Sequence, residues 1–336
     1  MLGSKIYSDF NEDIGWICSR VENDVKGLPP GLKRLGESLI SKRLLIGPTR
    51  ATWPQLDSQV GRPVAYSVFW FADALGFTER NSIRSFALAM TYSLLVTTLR
   101  DDVVDDEKMK GRRSQLLSLA RIFQRKYLDI FEKAFKSDSS FWRYLAMALD
   151  EQLSYESWTR TFDLDSRQNP LSAGFLEDSS RYLVALALPS LAAVAVASDA
   201  EDKIGGITRF GQHLSMGWRV YDDLKDWKID LVMGEMNRSS FLHYVRQCMG
   251  RKKIDEGDVV NLLMDETFVR RVYAPIFLYY GKAKEDIRPF NCDYLTKFMD
   301  EQISLNTRTM DGILKGRSEF FGTLEGLLKR QTLNAD

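Results

Sequence analysis

The sequence predicts an all-α protein folded as one domain, and three observations carry that prediction. Apolar residues recur with helical periodicity, while strand-like alternation is scarce. Residues 81–110, 114–136, 140–162, 175–188 and 259–272 run without glycine or proline. Breakers flank these stretches at Gly27-Leu28-Pro29-Pro30, Gly61-Arg62-Pro63, Asn169-Pro170, Gly205-Gly206, Gly250 and Gly257, where the chain is expected to turn. About ten helices or more follow from this pattern.

Composition narrows the function. The 336 residues carry 46 basic and 46 acidic side chains, a net charge of zero, which argues against nucleic acid or an anionic membrane surface as partner. At 44% hydrophobic the chain can bury a large core. It shows neither a Pro/Gly/Ser-rich linker nor an internal repeat, hence one domain over 1–336.

The N-terminus carries Asp9, Glu12 and Asp13 and has no apolar signal core, so a cytoplasmic protein is expected. Three scattered cysteines, Cys18, Cys248 and Cys292, fit reduced thiols. The two histidines, His213 and His243, show no metal-ligand spacing with them.

Residues 81–110 hold the first chemical signal. Ser85 to Thr98 are almost uncharged, and the helix then ends in Asp101, Asp102, Asp105, Asp106 and Glu107. Asp101 and Asp105 share one helical face, as do Asp102 and Asp106. Like charges at that spacing destabilise a helix, and acids at a C-terminus oppose its macrodipole. The cluster suggests a missing cation. Arg100, Lys108, Lys110, Arg112 and Arg113 surround it, as neutralising charges or as donors to a chelated phosphate.

Tyr182–Ser198 is the most apolar run. It is shorter than the roughly 20 residues that span a bilayer, and Pro189 interrupts it. A buried, kinked central helix is expected, without membrane insertion.

The second acidic cluster lies in Tyr221-Asp222-Asp223-Leu224-Lys225-Asp226-Trp227-Lys228-Ile229-Asp230. Asp222, Asp226 and Asp230 stand at i, i+4 and i+8 and form one carboxylate stripe. Two such clusters on apolar helices could face each other across the mouth of a bundle. Oxygen ligands without His or Cys suit Mg²⁺, which favours a few carboxylates plus substrate phosphates. The inferred substrate is a diphosphate.

These residues resemble the class I isoprenoid synthase superfamily, which includes trans-prenyl diphosphate synthases and class I terpene cyclases. Leu99-Arg100-Asp101-Asp102-Val103-Val104-Asp105-Asp106 resembles the first aspartate-rich motif, DDxxD, with Arg100 where prenyl synthases usually have His. The resemblance covers about Gly61 to Val245. It implies a helical bundle around a central apolar cavity, a prenyl diphosphate substrate, three Mg²⁺ ions and a homodimer. Asp101, Asp102, Asp105, Asp222, Asp226 and Asp230 would be metal ligands. Asp101, Asp222 and Arg181 would be the catalytic set. Arg181, Arg219, Lys225, Arg112 and Arg113 would serve the diphosphate.

Within the superfamily, details favour the cyclase branch. Ser58-Gln59-Val60-Gly61-Arg62-Pro63 occupies the place of the isopentenyl-diphosphate motif GGKRxRP, but Gln59 and Val60 replace its Lys and Arg. Arg219 stands where prenyl synthases carry Gln. Asp222 to Asn237 follows the register of the cyclase motif (N/D)DxxSxxxE, with Asp226 and Asp230 as departures. Arg181 sits near the position of the diphosphate-sensing Arg of cyclases, and Ala185 near the carbonyl that their broken helix offers. Their C-terminal Arg-Tyr pair has only Arg317, followed by Ser318, as a counterpart. Val96, Thr97, Phe69, Tyr92, Trp158, Ala185 and Trp218 are the cavity candidates; Val96 and Thr97 are small, which favours a twenty-carbon substrate. The expectation is thus a Mg²⁺-dependent terpene synthase that ionises and cyclises geranylgeranyl diphosphate. The alternatives are a prenyl diphosphate synthase or prenyl-coupling transferase and, from another class, a non-catalytic helical subunit.

Overall fold

Helices begin and end largely where the breakers and caps direct. The structure, a computed structural model, describes residues 5–43, 61–105, 112–161, 169–234, 239–251 and 253–333. Thirteen α-helices occur among the described residues: α1 Lys5–Ser8, α2 Asn11–Lys26, α3 Pro30–Arg43, α4 Gly61–Ala74, α5 Arg80–Asp105, α6 Arg113–Ala134, α7 Phe141–Thr161, α8 Ala173–Ala197, α9 Ile204–Met233, α10 Ser240–Met249, α11 Glu256–Leu263, α12 Glu266–Ile287 and α13 Asp293–Leu333. Single 3₁₀ turns lie at Glu201–Lys203 and Arg288–Phe290. No strand occurs among the described residues, and the fold is all-α as expected.

Three boundaries depart from the sequence reading. Gly205 and Gly206 lie in the first turn of α9 and do not break it. A Cβ at Gly206 would stand 3.2 Å from the Phe290 ring, so this glycine serves a close approach. Residues 259–272 do not form one helix. α11 stops at Leu263 and α12 restarts at Glu266, with the Asp265 side chain accepting from the Thr267 N–H at 2.8 Å. Gly257 sits inside the first turn of α11, whose start is set by a reciprocal Asp255–Asp258 capping box, which satisfies two otherwise orphaned N–H groups. Gly250, by contrast, ends α10 in the left-handed conformation at φ 60°, where a side chain would be strained.

The described residues divide into two compact units. One comprises Met1–Leu153, Tyr182–Gly211 and Asp286–Phe298. Its core is aromatic: Phe86 stacks on Phe131 and Phe135, and Phe131 meets Phe141 at 4.7 Å between centroids. Trp70 is fully buried, packs on Tyr66 and Phe298, and donates its indole N–H to the Ile6 carbonyl at 3.1 Å. Arg84 pins α2 to α5 through Asp13 at 2.5 Å and Glu12 at 2.8 Å. Residues 80–100 of α5 are long and apolar enough to cross a membrane, but 67% of the apolar window is buried inside the protein, as in a core helix. α8 runs through Pro189 without ending, and Leu186, Leu188 and Leu191–Ala195 are all buried.

The other unit comprises Ser154–Arg181, Gln212–Glu285 and Met299–Asp336. Here Phe268 packs against Phe241 and Tyr244. α9 lies so close to α12 that a Cβ at Gly217 would fall 2.7 Å from the Tyr280 ring. Arg317 of α13 donates to the Met264 carbonyl at 2.5 Å and stands 3.5 Å from Glu266. Its guanidinium thus ties α13 to the α11–α12 turn.

Candidate active site

The apolar face of α5 delivers the first acidic cluster. Leu88, Tyr92, Leu95 and Leu99 are buried on that face. The helix continues to Asp105, placing Asp101, Asp102 and Asp105 in its last turns. Asp106, Glu107, Lys108 and Lys110 lie outside the described residues. Arg112 and Arg113, at the start of α6, are both exposed.

A cleft of about 40 Å³ opens in the first unit beside that cluster. Val96, Thr97 and Arg100 of α5 line it, with Gln124 of α6 and Ala185 and Pro189 of α8. Ser93, Val96, Thr97 and Arg100 follow i, i+3, i+4, i+7 spacing, so one stripe of α5 faces the cleft and reaches the turn before Asp101. Pro189 has no N–H to donate to the Ala185 carbonyl, the bond a regular helix would make. The wall is not wholly apolar: Arg100 donates to the Gln124 side-chain oxygen at 3.4 Å.

Two of the expected aromatic lining residues are occupied elsewhere. Phe69 is 4% exposed and stacks on Phe10. Tyr92 donates its hydroxyl to Asp24 and stacks on Phe123; Asp24 is in turn held by Lys126 at 2.9 Å. Position 92 belongs to the core stripe of α5, about 100° from the stripe that starts at Ser93. The Trp158 side chain lies outside the described residues. Trp218, on α9, buries its indole N–H without an acceptor among the described residues.

α9 carries the second cluster. Asp222 is half-buried and accepts no hydrogen bond among the described residues. Burial, and then the neighbouring Asp223 and Asp226 charges, push its carboxyl up to about 6, against the opposing effect of Arg219 and Lys225. Asp226 stands 3.6 Å from Lys225, which is exposed. Asp230, the third member of the stripe, is half-buried. Arg219 is 23% exposed and pairs with Asp223 at 3.4 Å. Arg181 is held by Asp178 at 3.1 Å.

Asp223 escaped the sequence reading. It is 5% exposed, and its Oδ2 accepts from the Ser240 N–H at 2.6 Å and the Ser240 hydroxyl at 2.5 Å. The carboxylate therefore fastens the N-terminus of α10 to α9, where backbone donors lack intrahelical partners. Ser239 adds its own cap, accepting from the Leu242 N–H at 3.3 Å. Burial raises the Asp223 carboxyl, with Arg219 and the Ser240 hydrogen bonds opposing. The signal was in the sequence as Ser239-Ser240 ahead of an apolar run.

Among the described residues no three acidic, His or Cys side chains converge as a metal cage. The chemistry of α9 nevertheless fits a hard cation. Asp222 is half-buried, feels the neighbouring Asp223 and Asp226 charges and accepts no hydrogen bond among the described residues, and Mg²⁺ takes one or two carboxylates and completes its shell with phosphate and water.

No family model and no curated protein sequence matches the chain. Solved structures share its fold. A decaprenyl diphosphate synthase from Rhodobacter capsulatus aligns with TM-score 0.64 at 12% identity over 92% of this chain and 97% of that one. A heptaprenyl diphosphate synthase from Staphylococcus aureus aligns with TM-score 0.62 at 14% identity over 90% and 98%. A polyprenyl synthase from Caulobacter crescentus CB15, complexed with calcium and isoprenyl diphosphate, aligns with TM-score 0.61 at 15% identity over 90% and 96%. The chain thus has the all-α fold of the prenyl diphosphate synthases. These neighbours overturn the expectation of a cyclising lyase and favour the transferase alternative. The preference for a cyclase rests on Gln59, Val60 and Arg219, on the register of Asp222 to Asn237 and on the position of Arg181, in a helical frame that both branches use.

Proposed function

We propose that this chain is a divalent-metal-dependent prenyltransferase that joins the allylic unit of a prenyl diphosphate to an acceptor, as a prenyl diphosphate synthase does. One observation carries the reading: prenyl diphosphate synthases share the fold over nine-tenths of the chain. The two acid-rich helices support it.

Asp101, Asp102 and Asp105 on α5 are one set of residues that would ligate Mg²⁺, and Asp222, Asp226 and Asp230 on α9 are another. When bound, the metal supplies Lewis-acid stabilisation of the diphosphate leaving group. Arg181, which pairs with Asp178, and Arg219, which pairs with Asp223, would add fixed positive charge where the leaving group gathers negative charge. Val96, Thr97 and Ala185 would bound the hydrocarbon next to the reacting carbon and keep water from the allylic cation. The allylic carbon–oxygen bond breaks, a carbon–carbon bond forms to the acceptor, and a proton and diphosphate leave.

The acceptor we favour is isopentenyl diphosphate. A second reading, transfer to another acceptor, is supported by Gln59 and Val60, which lack the charge a second diphosphate would need. The test is incubation with Mg²⁺ and ten-, fifteen- or twenty-carbon prenyl diphosphates, with and without isopentenyl diphosphate. A longer linear diphosphate formed only with isopentenyl diphosphate is the expected result. A cyclic hydrocarbon from one diphosphate alone would overturn the transferase reading. Consumption of the prenyl diphosphate only with a different acceptor would select the second.

A further inference from the structure

Trp218 on α9 carries a buried donor that no bond in the protein uses. Its indole Nε1–H is shielded from solvent and has no acceptor among the described residues. An indole N–H can only donate, and a buried Trp usually finds a partner for it. The helix itself supplies none: position 218 lies well inside α9, where the backbone carbonyls are held in the i to i+4 ladder. The N–H therefore marks a place where an acceptor from outside the helix belongs.

Its place on α9 identifies that acceptor. Trp218 and Asp222 stand at i and i+4, one turn and about 40° apart, so their side chains are neighbours on the helix surface. Helical side chains lean toward the N-terminus, which carries the Asp222 carboxylate over the turn that holds Trp218. The stripe continues to Asp226 and Asp230, and all four residues are half-buried. Lys225 and Ile229 beside it are exposed, while Leu224 and Trp227 on the far side of the helix are buried. The stripe thus runs along the edge between core and solvent, where a ligand can reach it. Although the two groups are neighbours, the N–H makes no bond to the carboxylate, and Asp222 accepts no hydrogen bond among the described residues. One ligand satisfies both: an anionic oxygen takes the N–H, and the cation that accompanies the anion takes the carboxylate.

We infer that Trp218 is a diphosphate-binding residue: its indole N–H donates to an oxygen of the diphosphate whose metal Asp222 ligates. The inference rests on the proposed role of Asp222 as a ligand. A hydrogen bond to a charged oxygen is stronger than one to a neutral acceptor. A donor already fixed in a shielded setting needs no reorganisation as the leaving group gathers charge.

The experiment compares the full chain with Trp218→Phe, which keeps an aromatic ring and removes the N–H, and with Asp222→Asn. Mg²⁺ with inorganic pyrophosphate is titrated calorimetrically, and unfolding midpoints are measured separately in chelator. The indole N–H signals of the seven tryptophans are followed by ¹⁵N-edited NMR, and the signal missing from Trp218→Phe gives the assignment. The expected result is a downfield shift of the Trp218 signal only when Mg²⁺ and pyrophosphate are both present. Trp218→Phe should bind about ten-fold more weakly at an undiminished midpoint, because an N–H without a partner does not hold the fold together. An unmoved signal with wild-type affinity in Trp218→Phe would overturn the inference and leave the Asp222 reading standing. A shift with Mg²⁺ alone that pyrophosphate leaves unaltered would make the acceptor a metal-bound water and overturn it. Weaker binding with a lowered midpoint and an unmoved signal would make Trp218 structural and also overturn it. No binding by the wild-type chain, or wild-type affinity in Asp222→Asn, would remove the reading beneath it.

Discussion

Asp222 and Asp223 are neighbours in sequence with opposite duties. Asp223 spends its carboxylate on the start of α10 and on Arg219. Replacing it with Ala leaves the buried Ser240 donors unmatched and removes the carboxylate that stands 3.4 Å from Arg219. Asp223→Ala should therefore lose about 3 kcal/mol or more of stability, read as a lower urea midpoint. Asp222 makes no such bond, and burial raises its carboxyl from an ordinary 3.8 to about 6. The folded state binds this proton more tightly than the unfolded one. The stability linked to Asp222 is present below about pH 4 and is lost as pH rises through about 6. Asp222→Asn should flatten that part of the pH profile between 4 and 7 and abolish turnover, with no loss of helical circular dichroism. A steeper profile in the variant would contradict the assignment.

At the scale of elements, close approach decides what the helices can tolerate. α9 and α12 meet at Gly217, where an added methyl collides with an aromatic ring and with backbone. Gly217→Ala should cost about 1–3 kcal/mol through overpacking, although Ala is the better helix former. A thermal melt checks the sign: a stabilised variant would mean that propensity outweighs the collision. α5 shows how one helix serves two purposes. Its Tyr92 stripe builds the core and its Val96–Thr97–Arg100 stripe faces the cleft, and adjacent positions differ only in helical phase. Phe69 and Tyr92 were plausible cavity residues by composition, yet they pack on Phe10 and Phe123.

For the whole molecule, the proposed chemistry makes stability depend on ligand. Mg²⁺ together with pyrophosphate should raise the unfolding temperature with the logarithm of ligand concentration above Kd, a stabilisation of about 2.7 kcal/mol at a hundred times Kd, and excess chelator should reverse the rise. No shift at saturating concentrations would contradict metal-assisted diphosphate binding. The sequence by itself determined the all-α class, most helix positions and the two acid-rich stretches, because helical periodicity, breakers and charge clusters are local properties. It did not determine the branch, because the residues weighed there were single substitutions in a shared frame. Only the tertiary structure decided that Asp223 caps α10, that Arg317 closes the α11–α12 turn and that Tyr92 belongs to the core. Each depends on which residues distant in the chain come into contact, and contact is set by packing, which no local pattern encodes.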